Sequence, residues 1–454
     1  MSRKIEKLSF YREPQDIFAK YQAEEMAVFL DSSLENEMGR YSVIAVSPRM
    51  ILSETDGVCM CNGSKQKVDI LTLLQEELDK LEKEYENPYE LPLTTGAIGY
   101  FSYEFGRKVL GVKSRHVKKD NIPDALFCFY DVYIIADVKE KQLYLSVEEG
   151  EKEKSGGLQA WIKKLEQIVS CPPIKKHTQL AEAQHMFTRE TYGQALQDMI
   201  TYMKDGHIYV ANMTQQFHVK GKLAPFEVYR YLRTYNPAPF SAYLNYGTFQ
   251  VACASPERFL RKEKKRITTR PIKGTRKRGE TVEQDQILRA ELEQSEKDRS
   301  ELLMIMDLER NDLNRICVPG SVKVTEPFVI EEYATVFHLV SEIQGKVRPD
   351  LQLKDFVRSL FPGGSITGAP KIRAMEIIDE LEKESRGLYT GNIGYFAGDG
   401  SCDFNIVIRT AIYEGENYHI GAGGGITYES DVAFEYEETL QKAKALLEAI
   451  YEED

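Results

Sequence analysis

The sequence is short of positive charge. Of its 454 residues, 59 are Lys or Arg and 71 are Asp or Glu, for a formal net charge of −12. Nucleic-acid binding leans on a basic surface, so no nucleic-acid partner is expected. Long hydrophobic runs are missing too. The most apolar stretch, FCFYDVYIIA at 127–136, is too short to cross a bilayer and carries Asp131. The opening MSRKIEKLSFYREPQDIF has no apolar signal core, and the expectation is a cytoplasmic protein with no membrane partner. Seven cysteines, at 59, 61, 128, 171, 253, 317 and 402, form no C-x-x-C pair and have no partnered histidines. Free thiols are therefore expected instead of a zinc site or a disulfide framework.

Nucleotide signatures are absent as well. FPGGSITGAPKIRAM (361–375) has Gly363 and Gly368 at the spacing of a phosphate loop, but Ala369 and Pro370 stand where Lys and Ser/Thr belong. GAGGGITYESD (421–431) lacks the third glycine of G-x-G-x-x-G and leads towards a strand. Both stretches still bring backbone N–H groups close to a bound anion, such as a carboxylate.

What is present reads as an α+β protein. Strand-like runs occur at YSVIAVSP, TGAIGYFSYEF, FCFYDVYIIADV and QLYLSVE, then at IYVANMTQQFHV, FSAYLNYGTFQVACASP and KRITTRPI, and near the end at GLYTGNIGYFAGDG, DFNIVIRTAIYE and YHIGAGGGITYES. Helical spacing marks 68–86, 189–208, ETVEQDQILRAELEQSEKDRSELLMIMDLERNDL, VIEEYATVFHLVSEIQG and SDVAFEYEETLQKAKALLEAI. Strict βαβα alternation is lacking, so two large antiparallel sheets packed as a sandwich and flanked by helices are expected. The proline-broken CPPIKKHTQLAEAQHM sets a boundary between an N-terminal region, 1–175, and a catalytic domain, 176–454.

Several side chains invite chemistry, each beside a plainer reading. Asp298 and Glu301 lie three apart on one helical face, as do Glu435 and Glu438; they are either a solvated acidic face or oxygen ligands for Mg²⁺. In the last helix the apolar stripe Ala433, Tyr436, Leu440, Ala443, Leu447 and Ile450 runs roughly opposite the glutamates. His338 sits on an apolar helix face, where a core histidine is the commoner outcome. Arg409 interrupts an apolar strand and needs a carboxylate, internal or bound. Glu257 follows a Ser-Pro turn and suits either a general acid or an exposed loop. Lys273, in RPIKGTRKRG, stands among Arg270, Arg276 and Arg278, whose charges favour proton loss from a nucleophilic amine; the alternative is a solvated basic loop.

Taken in order, ASPERF, RPIKGTRKRG, SELLMIMDLERNDL, VFHLVSEIQG, FPGGSITGAPKIRAMEIID, GLYTGNIGYF, IVIRTAIY and GAGGGITYESD with EYEETLQKA resemble the chorismate-utilising family. Its members include the component I subunits of anthranilate synthase and aminodeoxychorismate synthase, and the isochorismate and salicylate synthases. FLDSS and GRYSVIAVSP resemble its N-terminal region. The resemblance implies an anthranilate synthase component I-like fold and Mg²⁺ held by Glu301 and Glu438, with Asp298 and Glu435 near through water. It implies chorismate carboxylates received by Arg409, Tyr389, Lys442 and the backbone of Gly423, Gly424 and Gly425. Ser365 and Thr275 would lie beside the ring, His338 would be the active-site histidine and Glu257 the general acid. Gln215 falls where water-using members carry a lysine base, which implies ammonia as nucleophile. Lys273 matches the P-I-K-G-T of para-aminating members, where others read P-I-A-G-T. The expected activity is amination of chorismate to 4-amino-4-deoxychorismate for 4-aminobenzoate and folate synthesis. Ammonia would come from a separate glutamine amidotransferase subunit, since no G-x-C-x-G-x-Q block occurs in the chain. Anthranilate synthase component I and a non-catalytic partner-binding relative remain the alternatives.

Overall fold

The computed structural model describes residues 2–36, 38–82, 86–149, 157–333 and 336–452. Two long strands, Tyr41–Thr55 and Ala125–Asp137, organise it. They pair antiparallel from Tyr41 opposite Asp137 to Glu54 opposite Ala125, with a register irregularity between Pro48 and Met50. Ser47 adopts φ 60° there, and Pro48 has no N–H to give to the ladder. An irregularity of this kind bends and twists a strand pair. The pair is thereby shared by two antiparallel sheets.

One sheet continues through Gln142–Glu149 to Ser2–Lys7 on one side. On the other it runs through Val28–Asp31, Phe240–Asn245, Phe249–Ser255, Thr410–Glu414 and Asn417–Thr427 to Val210–Lys220. The second sheet leaves the long pair at Gly96–Phe101 and passes through Asn392–Ala397, Cys402–Asn405, Arg258–Glu263 and Arg266–Thr269. It reaches Val336–Lys346, which also pairs with Ile272–Lys277 and Lys323–Glu332. The sandwich of antiparallel sheets is thus the observed architecture. Strands from before and after residue 175 pair directly: Val28–Asp31 with Phe240–Asn245, and Gly96–Phe101 with Asn392–Ala397.

Alternation of side chains assigns the layers. Val43, Ala45, Tyr133 and Ile135 join Ile98, Tyr100, Leu244, Tyr246 and Val251 between the sheets. Ile44, Val46, Val132 and Ile134 point the other way, towards the helices Pro14–Ala19, Gly157–Glu166, Pro225–Tyr235 and Val432–Ile450. The second sheet's outer face packs on Ile70–Glu82, Glu296–Ile316 and Leu353–Leu360. Among the described residues no helix is long and apolar enough to cross a membrane.

Three local expectations are corrected. VIEEYATVFHLVSEIQG is not a helix: it contributes to the strands Lys323–Glu332 and Val336–Lys346, with 334–335 outside the described residues. Phe337, Leu339, Ser341 and Ile343 are buried at period two, which the pairing on both sides of the strand enforces. The long helix after residue 280 divides at Ser295, whose side chain accepts from the Asp298 N–H and starts the second helix. The run IVIRTAIY is broken: the chain leaves one strand at Asn405, re-enters another at Thr410, and holds Arg409 at φ 52° between them. The helix expected over 68–86 is seen from Ile70 to Glu82, and its residues 83–85 lie outside the described residues.

Candidate active site

Glycine brings Lys273 into place. Gly274, at φ 79°, lies so close to the helices Val282–Gln294 and Glu296–Ile316 that a Cβ would come within 2.8 Å of Leu292 on the first and of Asp298 on the second. No other residue tolerates both that conformation and that approach. Lys273 therefore leaves the strand end beside the helix that carries Glu301, and its Nζ lies 3.6 Å from where a side chain of Gly425 would begin. The Ser-Pro turn before Glu257 is fixed by Ser255, whose hydroxyl donates to the Ile406 carbonyl at 2.6 Å. Glu257 is buried and accepts a hydrogen bond from Ser365 Oγ at 3.0 Å. Burial pushes its carboxyl upward, against the opposing pull of Lys273, Ser365 and Lys442.

The opposite side of the site is built around Arg409. Its guanidinium donates to the Lys442 carbonyl at 3.1 Å and forms no ion pair among the described residues. Burial lowers its pKa, while Tyr389 and Glu438 oppose that shift. Tyr389 is buried with its ring over Gly421, where a Cβ would meet it at 2.3 Å. Lys442 Nζ donates to the Gly423 carbonyl at 2.9 Å and pairs with Glu438 at 2.8 Å. His338 Nδ1 meets Thr275 Oγ1 at 2.9 Å across the strand pair. Burial pushes the imidazole down to about 4, with Arg409 adding to the shift and Glu331 opposing it, so the ring is neutral at pH 7. Gln215 is held by Nε2 donating to Thr439 Oγ1 at 2.6 Å, and its buried Oε1 has no partner.

Of the four acidic residues, Asp298 lies against Gly274, while Glu435 and Glu438 meet at Gly424. A Cβ there would lie 3.2 Å from Glu435 Oε2 and 3.3 Å from Glu438 Oε2. Burial first, then the Glu438 charge, pushes Glu435 up to about 7. Glu301 is also raised by burial, with Asp298 and Glu438 adding repulsion. This is not the solvated acidic face that periodicity allowed. Asp298 is bound by Arg276 at 3.0 Å, and among the described residues no three His, Cys, Asp or Glu side chains form a ready cage for a metal ion.

One expectation about Lys273 is not met. Arg270 is bound by Glu326, Glu331 and Glu342, Arg276 by Glu291 and Asp298, and Arg278 by Asp285. Their charges are compensated where they stand. The ionisable groups that feel Lys273 are carboxylates, Glu257, Glu301 and Glu438. The site therefore gathers Lys273, Glu257, Ser365, Arg409, Tyr389 and Lys442 with the glycine strand and two carboxylate-bearing helices. A profile of the family described as chorismate binding enzyme matches residues 31–448.

The chain belongs to the chorismate-binding enzyme family.

Among curated relatives, aminodeoxychorismate synthase component 1 of Bacillus subtilis strain 168 is 36% identical over 424 residues, covering 91% of this chain and 89% of the relative. Anthranilate synthase component 1 of Cereibacter sphaeroides is also 36% identical, over 437 residues, covering 90% of this chain and 86% of the relative. Among solved structures, anthranilate synthase component I from Streptococcus pneumoniae TIGR4 superposes with a TM-score of 0.80 at 30% identity, over 91% of this chain and 93% of that one.

The sequence reading of this chorismate-binding enzyme missed two buried acids close to the site. Glu309 is fully enclosed beneath the Gly364–Ile366 turn, near Glu257. Thr269 Oγ1 lies 2.8 Å from the Phe259 carbonyl and 2.6 Å from Glu309 Oε2, and one hydroxyl proton cannot serve both. Glu309 must supply the second proton, in agreement with a carboxyl pushed up to about 8 by burial. Glu382 was also passed over; it is bound by Arg386 at 2.6 Å. Its only signal is a glutamate four residues before an arginine beside the GLYTGNIGYF block.

Proposed function

We propose that the protein is the synthase subunit that aminates chorismate at its para carbon, giving 4-amino-4-deoxychorismate for 4-aminobenzoate and folate synthesis. The observation that carries this reading is Lys273 itself. Its amine acts on the carboxyls of Glu257, Glu301 and Glu438 and lies 3.6 Å from where a side chain of Gly425 would begin.

Arg409, which has no ion-pair partner among the described residues, receives the substrate carboxylates with Tyr389, Lys442 and the Gly423–Gly425 backbone; a partly buried guanidinium without a carboxylate is completed by one. Lys273 Nζ attacks the ring carbon next to the carboxylate-bearing one. The ring double bonds shift and the para C–O bond breaks. Glu257, whose carboxyl burial pushes upward, gives its proton to the departing hydroxyl, which leaves as water. Ammonia then attacks the para carbon, the double bonds shift back, the lysine departs as the neutral amine in which it attacked, and the new nitrogen returns a proton to Glu257. The enolpyruvyl ether is untouched, and the net change is chorismate plus ammonia to aminated product plus water. Gln215 Oε1, buried and unpartnered, is the acceptor for an ammonia N–H.

The residues present fit Mg²⁺. Glu301 and Glu438 present hard oxygens from two helices, each repels the other although Lys297 and Lys442 stand beside them, and such an ion completes its shell from water and substrate oxygens. Asp298 and Glu435 would hold its waters. When bound, the ion supplies positive charge that offsets the carboxylates of a dianionic substrate. Relatives named component 1 support a separate glutamine amidotransferase subunit as the ammonia source. The test is incubation with chorismate, Mg²⁺ and ammonium, with the product analysed by mass spectrometry before and after an added lyase. Amination without pyruvate loss is expected. Direct formation of fluorescent anthranilate overturns the para assignment, and persistence of chorismate overturns the enzyme assignment.

A further inference from the structure

Between the Lys371–Leu381 helix and the loop that reaches Tyr389 lies an ion pair almost sealed from solvent, with Arg386 3% and Glu382 6% exposed. Arg386 grips Glu382 with both Nε, at 2.9 Å, and Nη2, at 2.6 Å. Its other N–H groups reach main chain, Nη1 to the Ile366 carbonyl at 2.8 Å and Nη2 to the Asn212 carbonyl at 2.6 Å, with Nη1 also donating to Thr390 Oγ1 at 3.4 Å. Glu382 Oε1 accepts from both the N–H and the hydroxyl of Thr214, each at 2.8 Å. A buried ion pair is weak as a source of stability, because desolvation offsets the attraction. This one instead ties together three segments that share no sequence proximity: the turn holding Ser365, the strand holding Gln215 and the loop holding Tyr389.

We propose that Glu382 and Arg386 are positioning residues, which hold Ser365 against Glu257 and Gln215 in register with the glycine strand. Neither touches the reacting groups. Ile366 follows Ser365 directly, so the hydrogen bond to its carbonyl sets the height of the Ser365 hydroxyl. Asn212 and Thr214 flank the stretch that ends in Gln215, so the pair holds that strand from one side while Thr439 holds the Gln215 amide. Only a planar fork makes these bonds at once; lysine keeps the charge and loses the geometry. The inference deepens the reading given above, since it takes Glu257 as the general acid.

The test compares wild type with Arg386→Lys, Glu382→Gln and the milder Thr214→Val, each read as chorismate consumption with Mg²⁺ and ammonium, whatever the product. Arg386→Lys and Glu382→Gln should lose about 10- to 100-fold in kcat, measured well below their unfolding temperatures, with a smaller change in KM for chorismate. Thr214→Val, which removes one hydroxyl, should lose a few fold. A purely structural pair would not alter the pH profile. A positioning pair would: when Ser365 drifts, Glu257 loses a hydrogen bond that favours its ionised form. The alkaline limb of kcat/KM then moves upward by about half a unit, as it should in Ser365→Ala. Variants that keep wild-type kcat and an unmoved limb overturn the inference. So does a loss that appears only as a lower unfolding temperature. A wild type that makes anthranilate overturns the para assignment alone, and one that consumes nothing overturns both.

Discussion

Replacing Arg409 with glutamine should push the free protein and its substrate complex in opposite directions. The guanidinium is partly buried, makes one hydrogen bond to the Lys442 carbonyl, and has no ion-pair partner among the described residues. It also sits at φ 52°, a conformation that costs a side-chain-bearing residue roughly 1 kcal/mol. Glutamine at the same φ bears the same backbone cost, keeps an amide donor for the carbonyl, and removes a partly desolvated charge that has no ion-pair partner. Recovering about 1–2 kcal/mol of desolvation should leave the melting temperature of the free protein unchanged or raise it by about 1–4 °C.

Chorismate should see the reverse. A carboxylate held by two charge-assisted hydrogen bonds loses about 3 kcal/mol when the fork is removed, equivalent to roughly a hundredfold rise in KM. Ligand-induced stabilisation supplies an independent readout. Chorismate at about 100 times its dissociation constant stabilises the wild type by about 2.7 kcal/mol, and the same concentration should stabilise the variant by only about 0.4 kcal/mol. Thermal unfolding with and without chorismate, together with initial rates, measures both sides. A variant that melts lower and keeps its KM would refute the reasoning, because Arg409 would then be satisfied from within the protein.

Lys273→Ala should abolish para amination while the variant still binds chorismate, and any residual turnover should shift to ortho chemistry; unchanged rate and product would remove the covalent role. Glu257→Gln should cost about 10²- to 10⁴-fold in kcat, with folding unharmed because the acid is buried and its Ser365 hydrogen bond has an amide oxygen to accept it. For Glu309 the sign is set by a raised folded pKa. Below about 4.5 both folded and unfolded chains hold its proton, and up to about 8 only the folded chain does, so stability falls as pH rises through that window. Glu309→Gln should flatten this slope in melting temperature against pH, and an unchanged slope would show that Glu309 is ionised. His338 works oppositely: its lowered pKa means that stability is lost as pH falls from about 6.5 towards about 4, and His338→Gln should remove that acid-side loss.

Much of the site was legible because its residues stand beside backbone features that only certain residue types allow. Gly274 needs both a positive φ and a close approach to the Asp298 helix, and Gly423 lies where a Cβ would strike the Met213 carbonyl at 2.3 Å. Such positions leave blocks in the sequence, and the blocks carry Lys273, Glu257 and Arg409 with them. The strand pattern was legible for the same reason: inward and outward positions of the long strands alternate cleanly. What period reading could not supply was the second neighbour of an element. Val336, Leu339, Val340 and Ile343 have helical spacing, yet the segment is a strand because ladders on both sides capture its backbone.

The helix Val432–Ile450 is the sharper case. Its apolar stripe was read as the buried side, and periodicity alone left Glu435 and Glu438 either a solvated acidic face or oxygen ligands for Mg²⁺. The structure buries Glu435 to 3% exposure because the opposing strand offers glycines at 423–425, leaving room for carboxylates where side chains would ordinarily stand. A helix with one apolar face and one face turned to a side-chain-free strand has the same periodicity as a helix on the surface. The difference lies in electrostatics: two glutamates one turn apart would repel weakly in water, but buried beside each other they force one carboxyl towards protonation. Positive charge in the same recess offsets part of that cost: Lys442 pairs with Glu438 at 2.8 Å and its Nζ would lie 3.7 Å from a Cβ at Gly424, so the glycine strand, the two glutamates and the lysine are one structure, made possible by the missing side chain.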